Sequence, residues 1–315
     1  MQIFFRIRNR PARFFAMLVF YVLLCGACGQ RRNNGVEVET PESGRINISV
    51  DESFKPVIDS ELKVFEASYP DAKINVHYKS EAACFRDLAN KDSARLILVT
   101  RGLNRKEQDF YQDSFHFIPR FDVLAYDAIA IIVNNKSKDT ILTMNDVRNL
   151  LTGGGKDKPE VVMDGSSETS TVRYAIDSVL GGKPLGKNVV GAKSSEDVIN
   201  YVSGHEKAIG FIGVSWIGDQ DDPQEVSFLK KVKIAAIQCV SCSYETYVLP
   251  YQGNIVLKRY PMIRELYYIL NEGFAGVGNN FVNFLQFERG QLIFRRAYLV
   301  PGKMTFQIRD AKISN

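Results

Sequence analysis

The stretch INISVDESFKPVIDSELKVFEASYPDAKINVHY (46–78) decides the fold class. INISV (46–50) is a short apolar strand. From Ser53 to Ser68 the residues Phe54, Val57, Ile58, Leu62 and Phe65 recur at helical spacing and share one face. KINVHY (73–78) returns to strand alternation. Strand, polar turn, helix and strand again is the repeat of an α/β fold. The alternation continues outward. A helix over 82–89 leads to RLILV (95–99), apolar in its middle as a buried parallel strand should be. DAIAIIVN (127–134) is a long apolar strand, 143–151 reads as a helix, and VVMD (161–164) is strand-like. Helices over 170–180 and 196–202 precede the strand AIGFIGV (208–214). YPMIRELYYIL (260–270) has the spacing of a helix packed on a core, and 281–300 is helical over its first two thirds.

Polar residues gather at the strand-to-helix turns: Asp51-Glu52-Ser53, Ser80-Glu81, Thr100-Arg101-Gly102, and the run from Asp164 to Thr171, DGSSETST. In open α/β sheets the carboxyl ends of strands line the ligand crevice, and helix N-termini there present free N–H groups to an anion. A single Ser at such a turn is an ordinary N-cap. Four such turns in one chain point to a site for an anion or small polar ligand.

The chain has 315 residues, a length that suggests two domains, and 45% of them are hydrophobic, enough for a sizeable core. Its 40 basic and 36 acidic side chains leave a formal net charge of +4. Arg6, Arg8, Arg10 and Arg13 stand ahead of the apolar run FFAMLVFYVLL (14–24), and no acid occurs in residues 1–27. That is the layout of a secretory signal peptide, and the run is shorter than the roughly 20 residues that span a bilayer. An uncleaved N-terminal anchor is the alternative. Gly26-Ala27 directly before Cys28 resembles a bacterial lipobox, although Cys25 stands where such boxes carry an aliphatic residue. The expectation is a signal peptide over 1–27, lipidation at Cys28, a polar tether over 28–44, and a body held outside the cytoplasmic membrane. Without those four arginines the remaining 36 bases balance the 36 acids. Nothing in the body calls for nucleic acid.

Other signals carry little chemistry. Cys239-Val240-Ser241-Cys242 reads as a local disulfide or two free thiols, because no strand-to-helix context for redox chemistry surrounds it. Cys84 is left alone and buried. His77, His116 and His205 lack metal-ligand spacing. Gly153-Gly154-Gly155-Lys156 follows a helix, so it is a helix end and not a phosphate loop. No catalytic residue, metal or cofactor is expected.

Taken in order, VDESFKPVID (50–59), SEAACFRDLAN (80–90), LILVTRGLNRKE (96–107), DAIAIIVNN (127–135), LTMNDVRNLLTGG (142–154), GSSETSTVRY (165–174), AIGFIGVSWI (208–217) and ERGQLIFRRAYLVP (288–301) resemble the substrate-binding proteins of phosphate ABC transporters, in the periplasmic-binding-protein superfamily. The resemblance implies a two-lobed α/β fold of type II with the ligand cleft between lobes. It places lobe one at 45–128 with 248–315, and lobe two at 129–247. It further implies that Ser53, the N–H of Phe54, Thr100, Arg101, Thr169, Ser170 and Thr171 hold phosphate, with Glu81 or Asp164 accepting the ligand's proton. This chain departs from the family at three positions. Arg101 stands where many relatives carry Asp, Gly165 where they often carry Arg, and Ser170 where they carry Gly. The implied function is a monomeric, non-enzymatic receptor that passes inorganic phosphate to an ABC permease. Receptors for sulfate, molybdate or tungstate are the alternative, followed by a phosphate sensor or phosphate-ester hydrolase.

Overall fold

In the computed structural model the described residues are 39–90, 93–154, 159–165, 167–219 and 221–304. The expected signal peptide, Cys28 and the tether as far as residue 38 lie outside them. No helix of the described residues is long and apolar enough to cross a membrane.

The chain opens with β1 (Gly44–Asp51), a 3-10 turn (Glu52–Phe54), α1 (Lys55–Ser68), β2 (Ala72–Lys79), α2 (Glu81–Ala89), β3 (Leu96–Val99) and α3 (Arg105–Phe115). A second stretch holds β4 (Arg120–Asn134), β5 (Ile141–Leu142), α4 (Met144–Thr152), β6 (Val161–Met163), α5 (Ser170–Tyr174), β7 (Val189–Gly191) and α6 (Ser195–Gly204). It continues with β8 (Ile209–Gly213), α7 (Pro223–Leu229), β9 (Val232–Ile234), β10 (Ala236–Gln238), β11 (Tyr247–Val248) and α8 (Gln252–Val256). The last stretch is β12 (Ile263–Leu270), α9 (Val277–Gln286), α10 (Glu288–Arg296) and β13 (Val300–Pro301).

Local chemistry starts and stops several of these elements. Pro56 opens α1, where the absent N–H costs nothing. Reciprocal capping boxes begin α3 (Asn104 with Glu107) and α4 (Thr143 with Asp146). Gly153 ends α4 in the left-handed conformation, as expected of a helix end.

The main sheet runs in the order β2-β1-β3-β12-β4-β8-β6-β7, with β9 and β13 also on β4. β4 joins two halves. Its residues 120–128 pair with β12, whereas 129–133 pair with β8 and 132–134 with β9. Each half has its own core. Ile48, Phe54, Phe65, Phe281 and Phe294 belong to the first; Val147, Leu151, Met163, Phe211 and Tyr260 belong to the second. Two cores joined by one shared strand give the two-lobed α/β architecture.

One expectation is corrected. The segment 260–270 is not a helix, because 263–270 forms β12, antiparallel to both β3 and β4. Arg264, Leu266 and Tyr268 are buried, while Ile263, Glu265 and Tyr267 are half-buried, which is the two-residue period of a strand. Ile263, Leu266 and Leu270 also fall three and four apart, so the apolar residues fit both periods. β4 likewise begins seven residues before the expected start at 127. Cys239 and Cys242 form a disulfide, and Cys84 is a buried free thiol.

Candidate site between the two sheet halves

β12 carries an arginine into the interior. Arg264 lies directly across from Asp127 of β4 in the antiparallel ladder, and its Nε donates to Asp127 Oδ2 at 2.8 Å. The pair is sealed: 2% of the Arg264 side chain and none of Asp127 is exposed. Opposite charges facing each other across strands stabilise a sheet, and here desolvation makes each partner depend on the other. Room for the guanidinium comes from Gly213 at the end of β8, where a Cβ would lie 2.8 Å from Arg264 Nη2. The Phe54 ring centroid sits 5.0 Å from the guanidinium carbon.

Three hydroxyls converge on this cation. Ser53 Oγ, in the turn after β1, accepts from Nη2 at 3.0 Å. Ser170 Oγ and Thr171 Oγ1, in the first turn of α5, accept from Nη1 at 2.9 and 3.4 Å. Ser53 belongs to the first half, Ser170 and Thr171 to the second, so Arg264 ties the two halves together. The hydroxyl protons are directed at carboxylates. Ser53 donates to Asp51 Oδ1 at 2.5 Å, and Thr171 donates to Asp164 Oδ2 at 2.9 Å.

That leaves Asp51 Oδ2 and Asp164 Oδ1 buried with no hydrogen-bond partner among the described residues. Both carboxylates line a cleft of about 320 Å³, together with Lys79 and Lys193. Burial pushes the Asp51 carboxyl up to about 6 despite the pull of Arg264. Burial raises Asp164 and Asp127 as well, again against Arg264. For Arg264 the cost of burial is outweighed by Asp127, Asp51 and Asp164, so its cation is held more firmly than usual.

A second cluster lies beside the first. Glu81 Oε1 accepts from Thr100 N at 2.9 Å and Thr100 Oγ1 at 2.7 Å, while Oε2 accepts from Arg173 Nε at 2.6 Å. Burial alone would raise the Glu81 carboxyl, yet Arg173 and Thr100 together hold it below the ordinary range. A carboxylate occupied in this way has little capacity left for a ligand proton.

The residues singled out by sequence therefore divide. Ser53, Phe54, Ser170 and Thr171 meet around Arg264. Thr100 and Glu81 meet around Arg173. Thr169 caps α5, its hydroxyl accepting from Val172 N at 3.3 Å. Arg101 stands apart: its guanidinium holds both Glu107 carboxylate oxygens at 2.8 Å and lies over the Phe85 ring at 3.8 Å. Its charge is spent locally, so the cation at the hydroxyl cluster is Arg264. No side chain fits at Gly165 either, since a Cβ there would be 2.5 Å from Thr169 Cγ2.

Sequence reasoning missed Arg264, Asp127, Asp51 and Arg173. One signal was present for the first two. Asp127 opens an otherwise apolar strand, and a buried acid requires a cationic partner.

The profile of the PBP superfamily domain matches residues 35–288. No curated protein matches the chain. Among solved structures, the chain resembles a Clostridium perfringens protein assigned as a phosphate ABC transporter substrate-binding protein and crystallised with bound phosphate. The identity is 22%, the TM-score is 0.66, and the match covers 82% of this chain and 99% of that one. An ABC-type phosphate transport receptor from Vibrio cholerae is 20% identical, with a TM-score of 0.57 over 81% of this chain and 99% of that one. The CcmR regulatory domain of Synechocystis in complex with 2-PG is 13% identical, with a TM-score of 0.51 over 77% and 96%. At these identities the likeness establishes the fold.

Proposed function

The chain belongs to the PBP superfamily, and we propose that it is an extracytoplasmic substrate-binding protein that captures inorganic phosphate and hands it to an ABC permease. The observation that carries this reading is the convergence of Ser53, Ser170 and Thr171, from both halves, on the buried Arg264. A guanidinium in a dry cleft, with hydroxyls whose protons rest on Asp51 and Asp164 until a ligand draws them, supplies groups that replace water around an oxyanion.

The ligand must also bring protons. Asp51 Oδ2 and Asp164 Oδ1 are acceptors, and a fully deprotonated sulfate would face them lone pair to lone pair. Phosphate near neutral pH keeps an O–H to donate. Asp51 and Asp164 thus take the acceptor role that the sequence suggested for Glu81 or Asp164. Ligand release and capture would follow opening and closing of the halves about β4 and the segment entering β12. Val248, Ile255, Tyr260 and Met262 pack in the second core. The lobe boundary we propose therefore lies near 263 and not at 248, giving 45–128 with the chain after 263, against 129–262. The signal peptide and lipidated Cys28 complete the proposal by tethering a monomeric receptor outside the membrane.

Titration calorimetry of the mature protein with phosphate, sulfate and molybdate, at pH 6 and pH 8, tests this. We expect heat from phosphate alone, with tighter binding at pH 6, where Asp51 and the ligand share more protons. Binding of sulfate or molybdate in place of phosphate overturns it. Mass spectrometry of the membrane-extracted protein checks the lipid on Cys28.

A further inference from the structure

Besides Arg264, carboxylates tie the two halves together around the cleft that Asp51 and Asp164 line. Glu81 of the first half holds Arg173 of the second, its Oε2 accepting from Nε at 2.6 Å. Glu168 of the second half accepts from Arg86 Nη2 of the first at 2.9 Å. Both partners are arginines, which keep their charge at any ordinary pH. Each of these carboxyls lies below its usual range, Glu168 because of Arg86. Neither pair therefore responds to pH near neutrality.

Glu52 makes a contact of another kind. It follows β1 in the first half, and both its carboxyl oxygens accept from Ser195 N at 3.2 Å. Oε2 also accepts from Ser195 Oγ at 2.8 Å. Ser195 opens α6 in the second half, 143 residues away, and is fully buried. An amide and a hydroxyl bond to a carboxyl oxygen without neutralising its charge. The charges that act on Glu52 are those of Asp164 and Asp51, both acids. Glu168, Lys79 and Lys193 line the same cleft, but Arg86 holds the first, Asp87 holds Lys79 at 2.6 Å, and Lys193 is exposed. The first turn of α6 adds Glu196 and Asp197. Burial, with Asp164 and Asp51, pushes the Glu52 carboxyl up to about 7 despite the bonds from Ser195.

We propose that Glu52 is the latch of the phosphate cleft: by closing the first half onto the start of α6, it sets how fast phosphate leaves, without being a ligand group itself. The inference rests on the phosphate reading above and adds the regulation of that site. Opening returns Glu52 to water, where a carboxyl titrates at the ordinary 4.5, so closure favours the protonated form. The latch is fully set below that value and is lost as pH rises through about 7. An ionised Glu52 finds only neutral donors at Ser195, and hydration draws it out of the contact. Phosphate is thus held longer on the acid side of neutrality and released sooner on the alkaline side.

Release of radiolabelled phosphate into excess unlabelled phosphate, followed at pH 6 and pH 8 on the mature protein, tests this. From pH 6 to pH 8, release from the wild type should quicken about fivefold more than release from Glu52→Gln, whose amide cannot ionise. At pH 6 the Gln variant, which keeps an acceptor for Ser195, should match the wild type to within about twofold. Glu52→Ala should release phosphate at least about fivefold faster at pH 6, with association changed by less than about twofold. Parallel release profiles for wild type and Glu52→Gln overturn the latch and leave the phosphate reading standing. So does a Glu52→Ala variant that slows association in place of speeding release. The Gln comparison leaves no cavity, so it decides the matter even where the Ala variant does not fold. Absence of phosphate binding by the wild type overturns both readings.

Discussion

Arg101 and Arg264 are the same residue type in two settings. Arg101 follows β3 in a turn rich in polar residues, the place where a ligand-binding cation is expected. There it lies about one-third exposed, closes on Glu107 six residues away, and stacks on Phe85. Arg264 sits within a strand of mostly apolar residues, yet it reaches Asp127 and three hydroxyls contributed by both halves of the molecule. A local partner satisfies the first arginine. Only the assembled fold satisfies the second. Position in a turn is therefore a weaker guide to a charged site than the distance from which the partners must come.

The largest effect should come from Arg264→Gln. Removing one member of a buried ion pair costs about 3–5 kcal/mol, so chemical denaturation should show a loss of that size and phosphate heat should vanish. A stable variant that still binds would break the contrast between the arginines. Thr171→Val preserves shape but removes the proton given to Asp164, and it should weaken phosphate by about tenfold with a smaller stability loss. Unchanged calorimetric affinity would move the site away from α5.

The third test concerns Glu52, which accepts from Ser195 N and Oγ across the halves and is pushed up to about 7, chiefly by burial. A carboxyl raised in the folded state keeps its proton there longer than in the unfolded chain. Its contribution to stability is present below the ordinary value of 4.5 and is lost as pH rises through about 7. Between pH 6 and pH 8 the wild type should lose on the order of 1 kcal/mol more than Glu52→Gln, read from thermal midpoints. Parallel profiles for the two proteins would show that the contact does not titrate. The smallest effect is expected of Arg101→Ala, at about 0–1 kcal/mol with phosphate affinity unchanged, since a local pair that is still about one-third open to solvent contributes little. A tenfold loss of affinity would restore Arg101 to the site.

Much of the molecule was legible in the sequence because its determinants are local. The strand-helix alternation from β1 to β3, the α4 cap at Thr143 and the Ser-Thr start of α5 each depend on neighbours within a few residues. The same locality placed Ser53, Ser170 and Thr171 at helix entries. β12 failed for the converse reason. Its apolar residues fit helical and strand periods alike, and the choice between them was made by β3 and β4, more than 130 residues earlier in the chain. With β12 misread, the buried parity of Arg264 could not be seen.

By itself, then, the sequence determined the α/β class, the polar turns and the balance of charge in the body, all set by residue spacing and composition. Only the tertiary structure decided which arginine meets those turns and which carboxylate oxygens remain without a hydrogen bond among the described residues. Burial is what turns a guanidinium and a few hydroxyls into a site, and burial depends on the elements packed around them, not on the neighbours along the chain.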